Sequence, residues 1–426
     1  MPRTSPIRVA SITYDWFPYE PRAFRLAQAA VDAGYIVDVI CPRRPNEKHF
    51  EVLDEFHIYR VPMNRSIGAS LPFTVWNWCR FLLLAAIRVS WLHLRHPYTI
   101  VVVHNMPDFL VFSTVFPKLF GARILLDMQD LCPELLLDRA HGPLRSIIRP
   151  LAVLQECLSI VFADHIVTIG WTVEELLLQR GVPKGKLTSI INSADPKIFP
   201  SSCRPVPPKS QEFIEAIKNE LDEQPFILLY HGSIDQRQGL DTAIRALAMV
   251  HEIIPQVRLD IKGFGDTTHL KQLAVELGIE NSVVFSERCP VGEVVNFIVH
   301  GHVGIIPYRP DGYMELVLPT KAFEFAWMHC PMIASNVRGI RSLFRPESIV
   351  LCNPKNPASF ANAIIDLYQH PEKRAQMVSN AAEDYLPYRW EIMEKRYQRL
   401  LAFLSDKPEQ GQITEEEYLE IEAMND

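Results

Sequence analysis

Short β-branched runs alternate with longer amphipathic segments along the chain, the pattern of α/β units built around parallel sheets. The run 7–12 (IRVASI) precedes a helical periodicity over 21–33, and Gly34 separates it from the run 36–41 (IVDVIC). Apolar runs at 99–104, 122–128 and 165–169 each lead into polar or helical sequence. A second series starts at 226–231 (FILLYH) and continues at 257–263, 282–285, 302–307 and 331–335. Between the series lies a Pro- and Ser-rich, then charged, stretch that reads as a linker over 201–224. Two consecutive α/β domains are therefore expected, residues 1–200 and 225–385, with the cleft between them as the default ligand site. A helical pattern interrupted at Pro387 covers 386–404, and a tail covers 405–426.

The segment Trp76–Arg95 is apolar but is broken by Arg80, Arg88 and Arg95, so it lacks the uninterrupted run of a membrane span. Its first reading is a helix packed on the first sheet. The alternative is a basic amphipathic helix on a membrane surface, which the aromatic residues Phe73, Trp76 and Trp78 keep open.

Composition sharpens this picture. An apolar fraction of 48% over 426 residues excludes a disordered chain and allows two or three cores. The formal charge of −7 lies wholly in the tail, where eight acidic residues from Asp406 onward face Lys407. The remaining chain is formally neutral, which argues against nucleic-acid binding, because that requires a basic excess. The eight cysteines show no C-x-x-C spacing and are read as reduced, buried thiols. Residues Met1–Pro6 are too short and polar for a targeting segment, so a cytoplasmic location is expected.

Candidate chemistry concentrates in the second half. Residues 231–247 (HGSIDQRQGLDTAIRAL) read as a strand end, a Gly-bearing turn with Arg237, then a helix whose first amides suit a pyrophosphate. Residues 261–266 (IKGFGD) place Gly263 and Gly265 after another strand, where a missing Cβ lets a ligand approach the backbone; an ordinary strand-to-helix turn is an equal reading. In 318–335 (LPTKAFEFAWMHCPMIAS), Pro319 is expected in the first turn of a helix that also offers Thr320 and Lys321. Lys321 and Glu324 are three apart and so neighbours on one helical face, with Glu324 in an apolar context that demands a partner.

These motifs, in this order, resemble the donor half of the family 4 retaining glycosyltransferases of GT-B fold. The first half is similar too. Residues 19–40 match its D-P-R-x-x-R-E-A segment, and 103–112 (VHNMPDFLVF), 121–135 (GARILLDMQDLCPEL) and 191–199 (INSADPKIF) match its following segments. Residues 389–397 (RWEIMEKRY) resemble its closing helix, so the likeness runs from about Ile7 to Leu404. The resemblance implies two Rossmann-like domains with an interdomain cleft and a C-terminal crossover helix. It implies transfer of a sugar from a UDP- or GDP-linked donor, with retention, to an acceptor expected to be a saccharide or, on the pattern of 76–95 and its peripheral membrane contact, lipid-linked. No cofactor beyond that donor is implied, and no metal: no aspartate pair has D-x-D spacing.

Carried over residue by residue, the resemblance puts Glu324 at the second glutamate of the E-x7-E motif, against the nucleotide ribose. Lys321 and the amides of Leu318–Thr320 would hold the diphosphate with Arg237, and His104 would complete the catalytic set. Gly232, Ser233, Gly263, Gly265 and Glu315 fall on the donor side. Arg22, Asn105, Asp108, Gln129, Asp130 and Glu134 fall on the acceptor side. The chain departs from the family at five places. The first glutamate of E-x7-E is Leu316, with Glu315 one residue away, and Gln129 replaces a histidine. Ser233 and Gln238 occupy phosphate-binding cation positions, and His329 occupies a glycine position. These departures leave a non-catalytic binding protein of the same fold as the alternative.

Overall fold

The computed structural model describes residues 7–63, 65, 70–139, 144–200, 215, 225–287 and 291–406. The linker expected over 201–224 lies, except for Glu215, outside the described residues, as does the tail beyond Asp406. The chain forms two compact units, Met1–Asn192 with Glu391–Asp426, and Ser193–Trp390.

The first unit holds an eight-stranded sheet in the order β3-β4-β2-β1-β5-β6-β7-β8. Its strands are β1 (Arg8–Ile12), β2 (Ile36–Pro42), β3 (Phe50–Leu53), β4 (Phe56–Val61), β5 (Ile100–His104), β6 (Arg123–Met128), β7 (His165–Thr168) and β8 (Leu187–Ser189). All neighbours are parallel except β3, which pairs antiparallel with β4 at the edge. The central runs are apolar throughout because helices cover both faces of a parallel sheet. Helix α1 (Pro21–Asp32) is capped by Glu20, whose carboxylate accepts from the amides of Arg22 and Ala23 at 3.2 and 2.5 Å. It ends where Gly34 takes φ +86°, with Tyr35 N–H donating to Ala30 O at 3.1 Å, a left-handed closure that β-carbon-bearing residues resist.

Further helices are α2 (Leu71–Arg95), α3 (Val115–Leu119), α4 (Cys132–Arg139), α5 (Leu144–Phe162) and α6 (Trp171–Gln179). The apolar run around 76–95 thus becomes one helix, and its buried stripe is Trp78, Phe81, Ala85, Val89 and Leu92. Among the described residues no helix is long and apolar enough to cross a membrane.

The second unit holds a parallel six-stranded sheet, β11-β10-β9-β12-β13-β14. Its strands are β9 (Ile227–Ile234), β10 (Arg258–Gly265), β11 (Val283–Glu287), β12 (Val303–Ile306), β13 (Met332–Ser335) and β14 (Val350–Cys352). Helices α7 (Leu240–His251), α8 (Thr268–Glu276), α9 (Val291–Val299), α10 (Thr320–Trp327), α11 (Arg338–Arg341), α12 (Pro357–Gln369) and α13 (Pro371–Tyr385) follow. The helix α14 (Trp390–Asp406) returns to the first unit, where Arg396 donates to Ser189 O at 3.1 Å and Gln398 to Ala29 O at 3.0 Å.

Each sheet reverses its strand order once, at β1/β5 in the first unit and β9/β12 in the second. At such a reversal the loops diverge and leave a crevice at the carboxyl ends of the two strands, where ligands of open α/β sheets bind.

Two expectations need correction, and one pair of glycines gains a structural reason. Pro319 is the N-cap of α10 and not in its first turn, because the helix starts one residue later. Cys79 and Cys157 are exposed, since both sit on outward faces of α2 and α5. Gly263 and Gly265 are dictated by strand pairing: an added Cβ would fall 1.9 Å from Gly232 O and 2.0 Å from Ile234 O on β9.

Candidate active site

In the second unit the crevice at β9/β12 gathers the strongest set of candidate residues. Near its carboxyl end β9 carries His231, Gly232 and Ser233, and Gly232 takes φ +126°. Over this bend lies Lys321 from the first turn of α10, with Nζ 3.2 Å from where a Gly232 Cβ would stand. A side chain at residue 232 would therefore press on the ammonium as well as strain the backbone. Lys321 is only 7% exposed; its Nζ lies 3.9 Å from the Tyr230 ring centroid and 3.4 Å from Gln238 Oε1. Gln238, which stands where the family carries a cation, is held by Tyr230 Oη, which donates to its Oε1 at 2.8 Å. Burial drives the Lys321 pKa from 10.5 to about 7, with Glu324 and Asp235 pulling the other way.

Glu324 lies on the same helix, and its carboxylate is 3.3 Å from His231 Nε2. Burial, reinforced by Lys321, lowers His231 to about 3, so the ring is neutral and this contact is not an ion pair. His231 Nε2 has no hydrogen-bond partner among the described residues, a buried polar atom left open beside a carboxylate. Arg237 is partly exposed, near Asp235 at 3.5 Å and the Tyr313 ring at 5.6 Å. It sits in the turn before α7, whose entry requires Gly239 at φ +67°, where any Cβ would strike Pro307 O.

Leu318 is buried and Thr320 opens α10, so the amides of 318–320 stand at a helix N-terminus. Glu315 is turned elsewhere: its carboxylate accepts from Arg338 N–H at 2.8 Å at the start of α11. His329 takes φ +58° just past α10, with Cys330 N–H donating to Phe325 O at 2.9 Å. That left-handed position accounts for a glycine being usual there.

The first unit's crevice at β1/β5 holds a second network. His104, at the end of β5, is buried, with Nδ1 2.8 Å from Asp127 Oδ2 and Nε2 3.0 Å from Ser11 Oγ. Arg22 donates from Nε and Nη2 to Asp127 at 2.6–3.0 Å, and from Nη1 to Ile190 O and Asn192 Oδ1 at 2.8 Å. Burial alone would raise the Asp127 pKa, but Arg22 and His104 outweigh it and hold it at about 2. Gln129 Nε2 also donates to Asp127, at 3.2 Å.

Asn105 braces the following loop. Its Oδ1 accepts from the amides of Gln129 and Asp130 at 2.8 and 3.3 Å, and its Nδ2 donates to Asp108 at 2.7 Å. Burial raises Asp108 to about 6 despite its bonds from Asn105 and Gln155. Glu134 is separate, paired with Arg180, which also donates to buried Glu156 at 2.5 Å. The structure thus brings His104, Arg22, Asn105, Asp108, Gln129 and Asp130 into one network, and Gly232, Ser233, Lys321 and Glu324 into another.

Four residues of these networks receive no role from the sequence: Asp127, Ser11, Asn192 and His231. A signal existed for two of them, since Asp127 and His231 are polar residues at the ends of otherwise apolar strands. Among the described residues no group of three or more His, Cys, Asp or Glu side chains is arranged to hold a metal ion.

Comparison with known proteins agrees with this architecture. The family pattern for glycosyl transferases group 1 matches residues 211–384, and that for a glycosyl transferase 4-like domain matches residues 19–192. The chain is 26% identical over 259 residues to a D-inositol 3-phosphate glycosyltransferase of Acidothermus cellulolyticus, covering 56% of this chain and 53% of that protein. It thus spans about half the length of that curated relative. Sucrose-phosphate synthase of Thermosynechococcus elongatus superimposes with a TM-score of 0.72 at 19% identity, over 93% of this chain and 99% of that one. Anabaena HepE in complex with UDP-glucose gives 0.64 at 15%, over 93% and 100%. At such identities the structural likeness speaks for the fold alone. With both units matched by family patterns, the chain belongs to the group 1 glycosyltransferases and has the GT-B fold.

Proposed function

We propose that this enzyme transfers a sugar from a nucleotide-sugar, UDP- or GDP-linked, to a saccharide or lipid-linked acceptor with retention of configuration and without a metal ion. One observation carries the reading: a buried lysine and a glutamate on the first turns of one helix lie against the carboxyl-terminal part of β9, at Gly232 and His231, beside the strand-order reversal. HepE, of the same fold, was crystallised with UDP-glucose, which supports a donor of this kind.

The chemistry follows from the side chains. Cleaving the bond between the sugar C1 and the diphosphate oxygen develops negative charge on the leaving group. Lys321, the first amides of α10 and Arg237 are the groups to stabilise it. The acceptor hydroxyl attacks C1 on the face the diphosphate leaves; the new C1–O bond forms as the old one breaks, and the hydroxyl proton passes to the departing diphosphate oxygen. That route asks for no separate strong base. Glu324 accepts hydrogen bonds from donor hydroxyls, and His231, neutral beside it, leaves that carboxylate its charge.

The test is a panel of UDP-glucose, UDP-galactose, UDP-N-acetylglucosamine and GDP-mannose, read by thermal shift and by nucleotide release. At a donor concentration near 100 Kd the stabilisation is about 2.7 kcal/mol, a shift of several degrees. Glu324→Ala should lower nucleotide release by about two orders of magnitude with the melting midpoint of the free protein retained. If no donor stabilises the chain and Glu324→Ala changes nothing, the non-catalytic alternative holds.

A further inference from the structure

Helix α2 is apolar on both sides. Opposite its buried stripe, Leu83, Ile87 and Leu94 are 62%, 70% and 69% exposed, in line with Trp76 at 65%. Helix α5 repeats the pattern, with Leu154 and Leu158 54% and 51% exposed and Val161 76%. A surface helix of a globular domain normally turns charged residues outward, so two such helices call for a cover.

The helices belong to one surface. Both pack on the segment Asp108–Thr114: Trp78 of α2 meets Phe109 at a centroid distance of 6.3 Å, and Phe109 N–H donates to Gln155 of α5 at 3.2 Å. At the far end α3 joins them, through His93 and Phe116 at 6.2 Å and through Lys118 over the Phe162 ring at 5.1 Å. There Leu119 and Phe120 are 77% and 65% exposed.

The exposed charges carried by the three helices are positive, with Lys118 of α3 paired to Asp164 at 2.6 Å. Arg80, Arg95 and Arg149 are exposed and Lys118 partly so. The sole acidic residue on α2, α3 and α5, Glu156, is fully buried against Arg180. Apolar side chains rimmed by cations fit the interface of a bilayer bearing anionic headgroups. A second copy of the chain would instead oppose cation to cation.

We propose that the outward faces of α2, α3 and α5 form a single docking surface for an anionic lipid bilayer. Aromatic and leucine side chains enter the headgroup region while the arginines meet lipid phosphates. The surface is wider than the α2 segment singled out by sequence, because α5 contributes an uncharged outward stripe.

The experiment is flotation of the full chain with vesicles of phosphatidylcholine alone or with a third phosphatidylglycerol. The partition should be on the order of tenfold greater for the anionic vesicles at low salt and should fall at high salt. Leu83→Gln/Ile87→Gln and Leu154→Gln/Leu158→Gln should each reduce it by about tenfold, with unchanged melting midpoints because all four side chains are exposed. Absence of flotation with either vesicle overturns the proposal. Flotation that the α5 pair does not affect restricts contact to α2 and overturns the joint surface. A wild-type dimer in sedimentation that the α5 pair dissociates assigns the face to self-association and also overturns it. The assay needs neither donor nor acceptor, so its failure leaves the transfer reading untouched.

Discussion

Donor binding should take up a proton, because Lys321 must change charge to hold a diphosphate. In the free protein burial under Tyr230 and Gln238 lowers its pKa to about 7. A bound diphosphate replaces the lost solvation of the ammonium and returns it toward its ordinary value. The lysine is then about half protonated before binding at pH 7 and about a tenth at pH 8, and nearly fully protonated after. Expected uptake is about 0.5 proton per site at pH 7, about 0.9 at pH 8 and about 0.1 at pH 6. Affinity should correspondingly weaken by about tenfold per pH unit above pH 8 until the bound-state pKa is reached.

The assay is isothermal calorimetry of UDP-glucose or GDP-mannose in phosphate and in Tris, whose ionisation enthalpies differ; the slope of observed enthalpy against buffer enthalpy counts protons. A nucleotide-sugar suits this better than a free diphosphate, whose terminal phosphate itself titrates near pH 6. His231, the other base packed here, stays neutral at about 3 and exchanges nothing in this range. Lys321→Arg, charged at every pH used, should bind without uptake. Wild-type binding at pH 8 with no proton taken up, or uptake retained by Lys321→Arg, refutes the assignment of the diphosphate to this lysine.

Three further predictions concern the scaffold. Burial raises the Glu156 pKa from 4.5 to about 7 against the pull of Arg180, so the folded state keeps a proton that the unfolded chain has released. Its contribution is favourable below about pH 4.5 and is lost as pH rises through about 7. The fall in melting midpoint between those values should flatten in Glu156→Gln, and an unchanged slope would dismiss this group as its source. Gly263→Ala should cost about 2–3 kcal/mol in urea unfolding, because the added carbon meets Gly232 O at 1.9 Å and two paired backbones cannot yield separately. A stability within 0.5 kcal/mol of wild type (roughly the surface-substitution range) would contradict the register. Asp127→Asn should cost about 3–5 kcal/mol by leaving Arg22 buried without its counter-charge, and Arg22→Met in the same chain should recover part of it. Equal stability of the single and double variants would show that Arg22 finds other partners.

What could be read from the sequence, and what could not, follows from how far each feature reaches along the chain. The apolar runs ending in His104 and His231 were readable as parallel strands because such strands are buried on both faces and need no alternation. The spacing of Lys321 and Glu324 was readable because helical neighbours are local, and the fold class followed from the order of such local features. The edge strands β3, β8 and β14 escaped, together with β4 beside β3, since strands of three to six residues carry few positions for periodicity to register.

Reasons that depend on pairing escaped as well. Gly263 reads as a ligand-approach glycine until its register places it opposite Gly232, whose carbonyl occupies the space of a β-carbon. Asp127 reads as the end of an apolar strand until Arg22, 105 residues earlier, closes on it. The same holds for charge. The sequence puts a lysine near a phosphate-binding turn, but only the rings packed around it turn that lysine into a group near neutrality. The departure at Gln238 then acquires a physical sense. A second cation there would face Lys321 across 3.4 Å and drive its pKa lower still, whereas the amide oxygen accepts its hydrogen bond. On the proposed function, glutamine in place of a cation would give up one phosphate contact and let Lys321 gain its charge on donor binding.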